Sequence, residues 1–215
     1  MIFTTMVSPT VAPRLPVIAF RAFKAERELE IWGARSARGP YTKIATYRIA
    51  AMSGSLGPKL REGDLQVPEG FYRIDRFNPH SRFHLSLGLN YPNSSDRKRG
   101  QAGNLGEDIF IHGNQVSAGC MAMTDPIIEP IFKLALAAKS RGEKNIPVSV
   151  FPCRLTDSNW RKLNQEYATR PDLLAFWSSL RPAYLSFEQT RLWPRPHVDA
   201  RGMYVWPDLK HSGTR

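Results

Sequence analysis

GEDIFIHGNQVSAGCMAMTD, residues 106–125, is the stretch on which the reading of this chain turns. An apolar run (Ile109, Phe110, Ile111) delivers His112. A loop of small and polar residues follows and ends at Cys120, flanked by Gly119 and Met121 and eight positions beyond the histidine. A short strand emptying into a Gly/Ser/Ala/Asn turn is the simplest structure for that pattern. A thiol and an imidazole set on such a turn are the parts of a cysteine nucleophile and its base. A free thiol is mostly protonated at neutral pH, and a neighbouring imidazole favours the thiolate. Gly119 lets the backbone come close to a bound carbonyl, and a tight turn at Cys120 can aim backbone N–H groups at a developing oxyanion. The base must also be oriented through its second ring nitrogen. The loop holds no Asp or Glu for that task, so the backbone carbonyl of Gly113 is the expected partner. Ser117 could orient the imidazole or help bind the oxyanion, and Asn114 and Met121 complete the candidate contacts in this loop. The plain alternative is a buried cysteine and a loop histidine that merely lie close in sequence.

Downstream, Thr124-Asp125-Pro126 offers a cap and a proline at the first helical position. Ile127, Ile128, Ile131, Phe132, Leu134 and Ala135 then follow at helical spacing, and Ser140-Arg141-Gly142 closes the helix. If the N-terminus of this helix points at Cys120, its dipole favours the thiolate. Ile146–Phe151 reads as a strand and Thr156–Tyr167 as a capped helix with Trp160 and Leu163 inward. Asp172 caps a third helix through Leu173, Leu174, Phe176 and Trp177. Trp160 and Trp177 are expected in the core. From Pro182 onward, proline, tryptophan and arginine suggest an extended wrapping segment with a short strand near Met203-Tyr204-Val205.

Upstream, residues 1–15 read as a tail broken by Pro9, Pro13 and Pro16. Three strands are expected over Pro16–Phe23, Glu26–Gly33 and Tyr41–Ile49, the last two joined as a hairpin through Arg38-Gly39-Pro40. Ser53–Gly70 is a long loop of the kind that often carries function, and it returns into a strand through Ile74. Ser81–Asn90 alternates, with Phe83, Leu85 and Leu87 on one side and His84, Ser86 and Gly88 on the other. If the apolar side is core, His84 faces a groove. Tyr91–Asp96 is a turn cluster, and the polar run from Arg97 to Gly103 is expected to be mobile.

Composition bounds the rest. A chain of 215 residues with 42% apolar residues and 17 prolines fits one loop-rich, β-containing domain over residues 16–215. A net charge of +11 asks for an anionic partner. The cations are scattered rather than gathered in a stripe, so nucleic acid is not expected. Two cysteines give no disulfide framework, and Cys153 reads as a buried small hydrophobe. His80 and His84 are four apart but fall on a turn and a strand, and no C-x-x-C or phosphate-binding glycine loop is present. Neither a metal nor a cofactor is expected. No transmembrane segment is legible, and the first sixteen residues lack the charged and long apolar regions of a signal peptide.

The IHG and S-x-G-C elements resemble the signature of YkuD-type L,D-transpeptidase domains, and the surrounding text resembles their YafK-like branch. SGSLGPKLREGDLQVPEGFYRI (53–74), SRFHLSLGLNYPNSSDR (81–97) and VFPCRLTD (150–157) carry the likeness, which spans about Val17 to Glu188. It implies an α+β, mainly β-sheet fold with several packed helices in the C-terminal half, and a loop 53–70 beside the active-site groove. It implies Cys120 as nucleophile, His112 as base, and His84 and Tyr91 as substrate-pocket residues. The implied activity joins peptidoglycan stem peptides at an L-to-D bond through a thioester, in a cell-envelope or periplasmic setting. The stems' free carboxylates suit the basic charge. The same parts would also make a hydrolase that cuts stems or frees a peptidoglycan-linked protein. A non-catalytic basic module that binds an anionic polymer is the reading from a different class. Two departures matter: the His-to-Cys gap is shorter than in most of the family, where an insertion forms part of a lid, and Ala122 stands where an arginine is common.

Overall fold

The computed structural model describes residues 17–209, so the N-terminal tail reading lies outside the described residues. An eight-stranded sheet organises the chain. In chain order it is built from β1 (Val17–Phe23), β2 (Glu28–Ala34), β3 (Thr42–Arg48), β4 (Gly70–Ser81), β5 (His84–Leu89), β6 (Phe110–His112), β7 (Met121–Ala122) and β8 (Ile146–Phe151). In space the order is β3-β2-β1-β8-β4-β5-β6-β7. Only β1–β8 and β6–β7 pair in parallel. A two-stranded ribbon of β9 (His197–Val198) and β10 (Tyr204–Val205) lies apart.

Alternation along the strands sorts side chains to two faces. Ile18, Phe20, Leu29, Ile31, Val148, Val150, Leu87, Ile111 and Met121 pack with α2 (Asp125–Ser140), which contributes Ile128, Ile131, Phe132, Ala135 and Ala138. The opposite face of the central strands, through Phe23, Phe71 and Phe151, packs with α3 (Asp157–Glu166) and α4 (Pro171–Thr190). Trp177 is fully buried there, and Trp160 packs at the margin. Over β5, β6 and β7 this second face carries Ser86, Gly88, Phe110 and His112 instead of the α4 core.

The N-terminal strands, the 53–70 loop, α2, β8 and α3 fall where the sequence reading puts them, and the sheet-with-helices class is observed. Three expectations change. The strand after the long loop does not stop near Ile74 but continues to Ser81, and bulges after Ile74 and after Asn78 shift its register. The third helix starts at Pro171, with Arg170 at the N-cap and Asp172 inside the first turn. It then runs straight through Pro182 to Thr190. A proline costs a helix one hydrogen bond and a clash, but Phe176, Trp177, Leu180, Ala183, Tyr184 and Phe187 bury one continuous face and outweigh it. The polar run from Arg97 to Gly103 is helical over its first three residues. Ser94–Arg99 forms α1, closed at its start by an Asn93/Asp96 capping box. Arg99 lies 3.5 Å above the Phe176 ring, and Lys98 donates to the Asp199 carbonyl.

The 53–70 loop has no regular structure but is not loose. Lys24, just past β1, donates to the carbonyls of Gly57 and Val67 at 2.8 Å each and pairs with buried Glu69 at 3.0 Å. Glu69 in turn accepts from Gly57 N–H and from Trp177 Nε1. Against the opposing effect of burial, the Lys59 ammonium at 2.7 Å, and after it the N–H groups of Gln66, Leu60 and Arg61, hold the Asp64 carboxyl below the usual range.

Candidate active site

His112 ends β6, and Cys120 sits one residue before β7. The pairing of Ile111 with Met121 and of His112 with Ala122 sets Cys120 beside Phe110. Residues two apart on a strand share a face, so His112 and Cys120 stand on the same side of the sheet, diagonally across β6 and β7. Gly113 O lies 2.5 Å from His112 Nδ1. A carbonyl can only accept, so Nδ1 carries the hydrogen and Nε2 keeps its lone pair. The expected orienting partner is therefore in place. Burial lowers the imidazole pKa below the ordinary value, and the Gly113 bond opposes this only in part.

The thiol accepts from Phe110 N–H at 3.4 Å and directs its own hydrogen at the Asp108 carbonyl at 3.5 Å. No hydrogen bond joins it to His112. Burial pushes the Cys120 pKa up and outweighs the Phe110 N–H, while Asp108 adds to the rise and Lys59 works against it. The expectation of a depressed thiol is thus reversed, because burial outweighs the groups that favour the thiolate. At the N-terminus of α2, Asp125 Oδ1 accepts Asn114 N–H at 2.7 Å, and Thr124, at φ 76°, makes no side-chain cap. The resting pair is a neutral thiol and a neutral imidazole.

Two serines hold the backbone of the turn at Cys120. Ser117 Oγ donates to the Cys120 carbonyl at 2.7 Å and accepts Cys120 N–H at 3.2 Å. It belongs to the turn and does not touch the imidazole. Gly119 N–H donates to Ser53 Oγ at 2.6 Å, and Ser53 donates onward to the Leu65 carbonyl. Gly119 needs to be glycine: its φ is +94°, and a Cβ would stand 3.2 Å from the Gln66 carbonyl oxygen. Through these contacts the 53–70 loop flanks the site, as the resemblance implies.

Other candidates fall differently. Met121 is fully buried on the α2 face, because alternation sends it away from Cys120; its side chain is core, not substrate contact. Tyr91 is also buried, with its hydroxyl donating to the Leu105 carbonyl. Asn114 is a turn residue at φ 61° whose side chain accepts Gln115 N–H. His84 is exposed beside Gly113, with Nε2 3.1 Å from Glu129 on α2. Phe83, assigned to the core side of its strand, is instead 39% exposed, and its ring lies 4.7 Å from the imidazole of His112. That ring helps explain why His112 is only 2% exposed. Positive φ at His84 (70°), the first residue of β5, breaks the alternation there and turns Phe83 over. Nothing in the sequence signals that break. Phe83, Ser53 and Asp108 are the neighbours that sequence reasoning missed.

The model of the L,D-transpeptidase catalytic domain (YkuD) matches residues 37–150, which include both His112 and Cys120. The chain belongs to that family. It is 37% identical over 190 residues to Escherichia coli YafK, a protein whose name assigns it provisionally to the L,D-transpeptidases; the match covers 87% of this chain and 73% of YafK. Among solved structures, the helical cell shape determining protein Pgp2 from Campylobacter jejuni is similar with a TM-score of 0.51 at 20% identity. The superposition covers 80% of this chain and 56% of Pgp2. A point mutant of the same protein gives 0.50 at 22% identity, covering 80% and 59%. The present chain thus spans little more than half the length of these structures, and the likeness to them is one of fold.

Proposed function

We propose that this protein is a peptidoglycan L,D-transpeptidase acting in the cell envelope, with Cys120 as nucleophile and His112 as base. What carries the reading is the shared face of His112 and Cys120, with Nδ1 tied to Gly113 and Nε2 left free. The donor is a stem peptide whose scissile carbonyl, at an L-to-D bond, is seated over the thiol. Cys120 leaves the Asp108 carbonyl and attacks; its proton passes to His112 Nε2, and a carbon–sulfur bond forms as the carbonyl π pair moves to oxygen. Cys120 N–H, held by Ser117 at a long 3.2 Å, is the donor for that oxyanion. Collapse expels the amine, which takes the proton from His112, and leaves a thioester on Cys120. A side-chain amine of a second stem then attacks the thioester and gives its proton to His112; the carbon–sulfur bond breaks, Cys120 takes that proton back, and the cross-linked product leaves. Water in place of that amine yields a hydrolysed stem, or a freed protein if the donor stem carries one.

Because both resting groups are neutral, the base removes the proton as attack proceeds rather than in advance. Burial, the factor that raises one pKa and lowers the other, favours this order.

The test is incubation of the protein and its Cys120→Ala variant with isolated peptidoglycan and defined stem fragments, read by mass spectrometry. A cross-linked dimer formed only with the thiol present is the expected product. Thiol-dependent fragments that gain one water would change the acceptor to water and leave the roles of Cys120 and His112 intact. No thiol-dependent product on any stem would overturn the proposal in favour of a module that binds an anionic polymer.

A further inference from the structure

Four strands cross the catalytic face in register, and one row of that face ends at the nucleophile. Arg76 on β4 pairs with Gly88 on β5, Gly88 pairs with Phe110 on β6, and Cys120 is next to Phe110. Arg76 reaches this face because of the bulge after Ile74: Phe77, the next residue, packs against Phe132 of α2 on the other side. Gly88 is not a turn glycine. A Cβ there would stand 2.8 Å from Arg76 Nε, 2.9 Å from Arg76 Cβ and 3.0 Å from the Phe110 ring. The missing side chain is what lets Arg76 fold across β5 toward the nucleophile. Its guanidinium comes to rest 4.9 Å from the Phe110 ring centroid, within range of a cation–π contact.

There it meets a carboxylate. Nη1 donates to Asp108 Oδ1 at 2.6 Å, with Asp75 on Nε and the Leu89 carbonyl on Nη2 completing its partners. Asp108 is also the residue whose backbone carbonyl receives the Cys120 thiol. The charge of Arg76 is therefore one residue removed from the nucleophile, in a place already shaped to hold a carboxylate. Arg76 is 42% exposed and Asp108 70% exposed. An ion pair this open to water contributes little, so an incoming carboxylate can replace Asp108 at small cost. The planar fork of arginine suits that exchange better than the point charge of lysine.

We infer that Arg76 binds a carboxylate of the substrate beside Cys120, and that Asp108 holds the guanidinium in position until that carboxylate arrives. The inference rests on the functional reading above only for the identity of the ligand, a free carboxylate of the stem peptide. Gly88 and Phe110 provide the path and the surface along which the arginine is laid.

The test separates the carboxylate site from the reaction. Cys120 is labelled with a maleimide bearing a carboxylate on a short alkyl arm, and with the matching carboxamide, at one pH and low salt, with Cys120→Ala as the blank. The acid is expected to react about fivefold faster than the amide, the ratio that about 1 kcal/mol of charge attraction gives. Arg76→Gln should bring the ratio to one or below while the carboxamide rate stays as it was. Arg76→Lys should keep part of the preference, and Asp108→Asn, which frees the guanidinium, should increase it. A ratio near one in the native protein, or the same preference in Arg76→Gln, overturns the inference. If Arg76→Gln slows both reagents alike, Asp108→Asn decides: an increased ratio supports the site and an unchanged one overturns it. Labelling preference without any thiol-dependent peptide product would sink the functional reading and leave the site standing, and the opposite pair of results would do the reverse.

Discussion

The Gly113 carbonyl oxygen lies 2.5 Å from His112 Nδ1, and this neutral partner sets the acid–base character of the site. A carboxylate in that position would raise the imidazole pKa by charge. A carbonyl supplies only a hydrogen bond, and burial prevails. With His112 as the proposed base, the active form has a free Nε2, so activity should hold as pH falls through about 6.5, the ordinary histidine value, and decline only below it. The thiol has the opposite bias, so a neutral alkylating reagent should label Cys120 slowly at neutral pH. Its rate should climb with each pH unit to beyond an ordinary thiol's range. A pH profile of product formation and one of labelling would check both limbs. A labelling rate already flat at neutral pH would mean a preformed thiolate–imidazolium pair, and the neutral-pair account would fail.

Phe83 provides a direct handle on that burial. Its ring lies against the imidazole at 4.7 Å and an interplanar angle of 33°. Phe83→Ala should admit water to His112, raise the imidazole pKa toward about 6.5 and move the acid limb of the activity profile upward with it. Because the ring is 39% exposed, its removal should cost less than a buried aromatic does, about 1 kcal/mol rather than 3–5. Phe83→Leu should restore the profile in part. A shift in the acid limb without a comparable loss in thermal stability is the expected signature; an unmoved limb would mean that other groups do the shielding.

Ser53 is tied to the Cys120 turn through Gly119. Its Oγ receives a buried N–H at 2.6 Å, and its own hydrogen goes to Leu65. Ser53→Ala leaves that N–H without a partner, a cost of about 1–3 kcal/mol, in the turn that aims Cys120. Turnover should fall about tenfold or more with little change in KM, and Ser53→Thr should recover much of it, since the hydroxyl is retained. A positioning role requires that split. Equal recovery by alanine and threonine would reduce Ser53 to a loop residue of no consequence for catalysis.

His112, Gly113 and Cys120 were legible because their relationship is local: a strand, a turn and a carbonyl one residue away. The helix after Asp125 was legible for the same reason, as an uninterrupted 3.6-residue period. Met121 adjoins Cys120 in sequence, but strand alternation places neighbours on opposite faces and sends its side chain to the core. Pro182 was taken as an end, whereas α4 continues through it on the strength of contacts to Phe23 and Phe151 that only the assembled sheet supplies. Arg99 looked like part of a solvated run and instead covers Phe176. Arg76 could not be found from the sequence, since its place depends on a bulge and on a glycine of another strand. The long loop announced itself by its glycines and prolines, but the residues that fix it, Lys24 and Trp177, lie far from it in the chain.

That fixation gives the last prediction. Lys24 and Glu69 form a buried ion pair at 3.0 Å, and such a pair can commonly be exchanged for apolar side chains with little loss. Here the exchange should fail. Lys24 also supplies hydrogens to the carbonyls of Gly57 and Val67, and Glu69 accepts those of Gly57 and Trp177. Lys24→Met alone strands the carboxylate and should cost about 3–5 kcal/mol. A Lys24→Met/Glu69→Leu double variant removes both charges but orphans four polar groups, so it should stay destabilised by several kcal/mol. Denaturant unfolding measures the loss. The double variant should also label faster at Cys120 while still folded, because the loop that carries Ser53 loses its anchor. Full recovery of the denaturation midpoint in the double variant would show that the pair is an ordinary buried salt bridge, and that the loop is held by something else.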